Sequence, residues 1–194
     1  MHTDISHLQT KVKNYKQVLQ NTQNYRQAWQ SKVKQFISST LKTLIEKADL
    51  KATVVEKNNI ENLEAIVLDL GRSSSGIAEN LENTDVKRIM VKNNGAMIYQ
   101  QLFNGKIMVM LVSPYIEGYG EAKAPLSLAI VRPDEISEAA IFRHVESLLD
   151  DITEWEDYDD DDKHAKVAFQ PIGFQHTVNL KNDNGNDSPE MAQQ

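Results

Sequence analysis

The sequence predicts an α+β protein: a long N-terminal helix, an antiparallel sheet of about six strands, and a C-terminal helix that covers the sheet. Three observations carry that expectation. Apolar residues recur at helical spacing through the first 48 positions. From Lys51 onward the period drops to two and β-branched residues become common. Two Asn-Gly dipeptides, at Asn94-Gly95 and Asn104-Gly105, then punctuate the later apolar runs, and such pairs tolerate the positive φ angles that tight hairpin turns need.

The helix comes first. Ile5, Leu8, Val12, Tyr15 and Leu19 follow an alternating 3,4 spacing, which resumes at Trp29, Val33 and Phe36 after an interruption at Thr22 and Arg26. Beyond Phe36 the series continues through Ile37, Leu41, Leu44 and Ala48, and the shift in register there acts as a stutter in a coiled-coil repeat. No Pro or Gly occurs before Gly71, and Thr3 or Asp4 is a suitable N-cap. A single helix over residues 1–48 is therefore expected, with the polar patch Asn21 to Asn24 as the place where it would break.

The strands come next. Lys51 to Lys57 and Leu63 to Leu70 alternate and flank Asn58-Asn59, so they read as a hairpin. Val86 to Lys92, Ala96 to Phe103 and Lys106 to Ser113 read as a meander joined at the two Asn-Gly pairs. A sixth run, Leu126 to Arg132, follows a loop with Pro114, Gly118, Gly120 and Pro125. Pro133-Asp134 then opens a helix with Ile141, Val145, Leu148, Ile152 and Trp155 on one face. The organisation expected is a helix over 1–48, an α+β domain over 49–156 and a tail over 157–194. The acidic run from Glu156 to Asp162 and the Asn, Asp, Ser and Gln-rich end predict disorder in that tail, around an apolar island from Val167 to Leu180.

Composition bounds the chemistry. A chain of 194 residues with 40% hydrophobic content can bury one core without staples. With no cysteine, it offers no disulfide, thiolate metal site or thiol nucleophile. The opening residues are polar and helix-like, unlike a secretory leader, and the longest apolar run, Ile107 to Val112, is far shorter than a membrane span; a cytoplasmic protein without membrane insertion is expected.

The net charge of −7 is unevenly spread. Residues 1–48 carry Lys11, Lys13, Lys16, Arg26, Lys32, Lys34, Lys42 and Lys47 against Asp4 and Glu46, a balance of +6, whereas Asp150 to Asp162 holds nine acidic side chains and no basic one. The lysines scatter around the helix and form no single stripe, so solvation of its polar faces accounts for them, and the overall acidity argues against nucleic acid as a partner. Solubility likewise accounts for the acidic run, although the two charged ends could attract one another.

Familiar catalytic patterns fail one by one. Gly71-Arg-Ser-Ser-Ser-Gly76 has the glycine spacing of a phosphate loop, but Ile77 and Ala78 stand where the cation and the hydroxyl are needed. A weaker anion site survives, in which Arg72, Ser73, Ser74 and Ser75 meet free N–H groups at the start of a short helix over Ile77 to Leu81. The acidic run lacks the glycine and distal glutamate of a calcium loop. His2, His7, His144, His164 and His176 have no metal-ligand spacing. His144, with Glu135 and Glu138 upstream, is a conceivable general base but reads more simply as a helix-boundary histidine. No serine sits in a nucleophile elbow. Neither catalytic residues nor a cofactor or metal site is expected.

Surfaces for partners are easier to nominate. If the first helix projects from the domain, Val12, Leu19, Trp29 and Val33 must be buried by something, and self-association into a homo-oligomer is the economical answer. The long loop from Pro114 to Pro125 displays Tyr115, Ile116 and Tyr119 among glycines and is a second candidate surface, unless those side chains fold back onto the sheet. The resulting expectation is a non-enzymatic adaptor or chaperone-like interaction protein with a protein partner. The order of leading helix, sheet and closing helix also resembles, in outline, the regulatory ligand-binding domains of signalling proteins. That resemblance implies an alternative, a small-ligand sensor with an apolar pocket beneath the sheet near the 114–125 loop.

Overall fold

The computed structural model describes residues 5–81 and 85–158. The suggested N-cap at Thr3 or Asp4, the tail from 159 with its apolar island, and His2, His164 and His176 lie outside the described residues.

The chain opens with α1 (Ser6–Ala28), passes through a π-helical turn (Trp29–Val33) and continues as α2 (Lys34–Ala48). The helix is thus unbroken across Asn21 to Asn24, where Gln17 and Gln20 donate to the side chains of Asn21 and Asn24 one turn on. The irregularity falls instead on Trp29–Val33. A π turn takes up one extra residue there, and Trp29, Val33, Ile37 and Leu41 are all buried along the helix that runs through it. Asp49, in the left-handed conformation at φ 52°, ends α2.

Five strands form the main antiparallel sheet, in the order β1 (Thr53–Lys57), β2 (Ala65–Asp69), β5 (Ala96–Gln101), β6 (Ile107–Val112), β8 (Leu126–Val131). A second, three-stranded sheet is made by β3 (Arg72–Asn80), β4 (Lys87–Asn93) and β7 (Tyr115–Ile116). Here the expected meander needs correction. Ala96 pairs with Asp69 and Asn93 with Arg72, so β2–β3 and β4–β5 run as two long strands side by side that bend together at Gly71 and Gly95. Leu70 donates to the Gly95 carbonyl and Asn94 to that of Gly71, which carries the ladder through the bend. Asn94-Gly95 is therefore a kink and not a hairpin turn. A Cβ on Gly95 would lie 3.0 Å from the Val112 carbonyl, so the residue is needed for both its φ of 95° and its lack of side chain. Asn104-Gly105, by contrast, closes the β5–β6 hairpin as expected.

Past β8, Pro133–Glu135 forms one 3-10 turn and α3 (Glu138–Glu156) begins only after Ser137, whose hydroxyl accepts from the Ala140 N–H. The helix predicted to open at Pro133 thus starts a few residues later, at its own cap.

Because side chains alternate along strands, each face of the main sheet can be read from the register. One face carries Ile66, Leu68, Met97, Tyr99, Ile107, Val109 and Leu111, packed under Trp29, Val33, Ile37 and Leu41 from the first helix and Ile141 and Leu148 from α3. This is the core. The other face sets Val55, Val67, Ile98 and Met110 side by side across four strands, with Met108 opposite Ile130 in the next row. Among the described residues the helices pack on the first face. Among the described residues no helix is long and apolar enough to cross a membrane.

Candidate functional site: a projecting helix and the sheet end it leaves

The α1 part of the helix meets the main sheet at one end. That end gathers the β5–β6 turn, the start of β2 and the end of β8. There the Arg26 guanidinium donates to the Phe103 carbonyl at 2.6 Å. A Cβ on Gly105 would come within 2.7 Å of Tyr25 Cβ and 3.0 Å of the Thr22 carbonyl, so only glycine lets the turn sit this close beneath the helix.

One turn further on, Glu64 ties the helix to β2. Its carboxylate, 8% exposed, accepts from Trp29 Nε1 at 3.1 Å, Gln30 Nε2 at 3.0 Å and Lys34 Nζ at 3.0 Å. Burial alone raises the Glu64 carboxyl, but the bonds from Gln30, Lys34 and Trp29 and the lysine charge outweigh it and hold the group below its ordinary value. The π turn is what brings Trp29, Gln30 and Lys34 to one acceptor. Nothing in the local sequence around Glu64 marks it, because the three donors come from 30 to 35 residues away in the chain.

N-terminal to these anchors the helix projects past the end of the sheet. Every residue from Ile5 to Gln20 is exposed, including the whole first part of the apolar series, with Leu8 at 62%. Thr22 and Arg26, the next positions in that series, are where the helix touches the β5–β6 turn. The stripe therefore lies on the sheet-facing side of the helix, beyond the point where its own sheet stops.

Of the residues nominated as an interaction surface, the structure divides one group in two. Val12 and Leu19 are exposed on the projecting segment, whereas Trp29 and Val33 are buried in this chain's own core and present nothing to a partner. The reason is that the sheet already lies beneath that half of the helix. Tyr115, Ile116 and Tyr119 stand half-buried at the far end of the molecule, with Tyr115 and Ile116 paired to Asn93 and Lys92 as a short third strand. The 114–125 loop thus begins as sheet.

The expected anion loop also requires correction. Arg72 to Ser75 open strand β3, which continues through Ile77 to Asn80, so no short helix offers its N–H groups there. The side chains are engaged within the arm: Arg72 pairs with Glu117 at 3.4 Å, Ser73 bonds Asn94 at 2.8 Å, and Ser75 donates to the Met90 carbonyl at 2.8 Å. What the structure does bring together is the 72–75 segment and the 115–117 segment, both laid against β4.

His144 belongs to the core boundary. Its Nδ1 lies 3.2 Å from the hydroxyl of fully buried Tyr99, and burial followed by the charge of Arg143 lowers its pKa, favouring the neutral ring. Burial also pushes the Tyr99 hydroxyl up. Among the described residues no group of three His, Asp or Glu side chains could hold a metal ion. Gln101 is buried with neither amide atom hydrogen-bonded within the described residues, a feature the sequence does not announce.

Two clefts flank the helix junction. One, of about 340 Å³, is lined mainly by Ala28, Val33, Phe36, Pro133 and Ile136, with Lys32 and Asp134 also on its wall. The other, of about 320 Å³, is polar and bordered by Gln30, Lys34, Ser38 and Glu56. Neither is at the 114–125 loop. Comparison with protein-family models, curated proteins and solved structures gives no match for this chain.

Proposed function

We propose that this chain is a non-enzymatic interaction protein of the cytoplasm, adaptor or chaperone-like, that self-associates through the projecting half of its N-terminal helix. One observation carries the reading. Ile5, Leu8, Val12, Tyr15 and Leu19 make a continuous apolar stripe on a helical segment with no buried residue, and such a stripe in water favours association with another apolar surface. Each large aliphatic side chain fully buried there contributes about 1.5–3 kcal/mol.

Light scattering on the intact chain tests this. A dimer or larger species at micromolar concentration is expected, becoming monomeric when Val12 and Leu19 are changed to serine. A monomer at every concentration defeats the reading. Val33 is unsuited to this test, since it lies in the core and its replacement would destabilise the fold itself.

The sensor reading draws its support from the mainly apolar 340 Å³ cleft between the π turn and Pro133, which sits at the small end of ligand pockets. An apolar dye displaced from that cleft by a Phe36→Trp change would favour it.

A further inference from the structure

Among the described residues, two apolar surfaces carry no covering helix, and their lengths match. The first is the helix stripe from Ile5 to Leu19, about 21 Å long at 1.5 Å per residue. It faces the way the sheet lies but extends past the sheet's end. The second is the outer face of the main sheet, where Val67 is buried, Ile98, Met108 and Met110 are half-buried, and Val55 and Ile130 on the two edge strands are 41% and 57% exposed. Strands of six residues at about 3.3 Å each give that face a matching length of roughly 20 Å.

A third observation links them. The sheet end over which the helix departs is itself apolar and exposed: Phe103 stands 74% exposed at the tip of the β5–β6 turn, and Ile60 and Leu63 are exposed in the neighbouring β1–β2 connection.

We infer that the partner is a second copy of this chain, related by a two-fold axis, with each projecting helix lying across the outer sheet face of the other copy. The inference rests on the self-association proposed above and names the surface that receives the helix. Rotation by 180° about an axis in the plane of the sheet, beside Phe103, turns the second molecule's outer face up beneath the first molecule's helix. The same rotation places the second helix under the first sheet, so the contact closes on itself. Phe103, Ile60 and Leu63 of the two copies then meet at the centre.

Charge and area both favour this arrangement over helix against helix. No acidic residue occurs between Asp4 and Glu46, so two such helices packed roughly 8–10 Å apart would bring two positively charged segments within about one Debye length with no acidic side chain to offset them. The paired rows of the outer sheet face add little charge, with Lys57 and Asp69 near its borders. A helix footprint of roughly 24 Å by 10 Å is also far below the roughly 800 Å² per partner of a stable interface. The reciprocal contact uses a footprint of that size on both the helix and the sheet face of each copy, roughly 480 Å² per partner, and adds the apolar sheet end, which brings it closer to that size.

The absence of cysteine makes the test direct. Full-length Val12→Cys and Ile130→Cys chains are mixed and treated with a short bismaleimide, and the products are mapped by mass spectrometry. Cross-links from 12 to 130 are expected in preference to 12 to 12. In parallel, Ile130→Glu is expected to weaken dimerisation by roughly tenfold or more, the size of an interface hot spot, as Leu8→Lys does, with thermal unfolding of the monomer unchanged. If Leu8→Lys dissociates the dimer while Ile130→Glu does not, and 12 to 12 links dominate, the sheet face is not the receptor although self-association stands. A chain that is monomeric throughout overturns both, and a ladder of higher species overturns the closed two-fold.

Discussion

The two halves of the long helix carry the same kind of apolar series and meet opposite fates. Leu8, Val12 and Leu19 are exposed, whereas Trp29, Val33, Ile37 and Leu41 are buried. Both halves keep apolar residues three or four apart, so helical spacing alone does not say which half is covered, although the second half steps by four from Trp29 to Leu41. The difference is what lies beneath: the second half sits over the main sheet, and the first has passed its end at the β5–β6 turn. An apolar stripe thus shows that a helix has a side to bury, but not whether its own chain supplies the cover. Side-chain size hints at the difference, since the buried half holds the one tryptophan of the helix.

The comparison is broken most severely at Trp29. Trp29→Ala removes a fully buried ring and a bond to Glu64, and is expected to cost about 3–5 kcal/mol in denaturant unfolding. A cost below about 1 kcal/mol would mean that the second half is not anchored as described.

A smaller effect is expected at the clamp between the halves. Glu64→Gln retains the side-chain shape but removes the charge that Lys34 meets, for an expected loss of about 1–3 kcal/mol at neutral pH. Because the folded-state pKa of Glu64 lies below its ordinary value of 4.5, the unfolded chain takes up the proton first as pH falls. The stabilisation is therefore complete above that value and is lost as pH falls through the folded-state pKa. Unfolding curves of the wild type and Glu64→Gln should converge in that acid window and separate above it.

The smallest effect belongs to the exposed half. Leu8→Ala should leave the stability of the isolated monomer within about 0.5 kcal/mol, measured at high dilution, because the side chain touches no core. A loss as large as that at Trp29 would show that the stripe is packed within the monomer and erase the contrast.

Much of the fold was legible in the residues. Helical spacing located the first helix, alternation located β1, β2, β5, β6 and β8, and Asn104-Gly105 marked a true hairpin. Illegible were β3 and β7. Arg72 to Asn80 is rich in serine with a central glycine, a composition that reads as loop, and it forms a strand because β4 offers it a continuous partner. The candidate site was half legible. Val12 and Leu19 stood out by spacing, while Glu64, Phe103 and Gly105 acquire their roles only from helix contacts distant in sequence.

By itself, then, the sequence determined the periodic elements, the absence of thiol chemistry and the lopsided charge, because each depends on residues within one or two turns of each other or on composition alone. Tertiary structure decided which half of the helix is covered, that Asn94-Gly95 bends a pair of strands where Asn104-Gly105 closes one, and which face of the sheet the helices pack on. The physical reason is the same in each case. A positive-φ dipeptide suits a kink as well as a turn, and an apolar stripe suits any apolar surface, so the outcome rests on partners that local sequence does not specify.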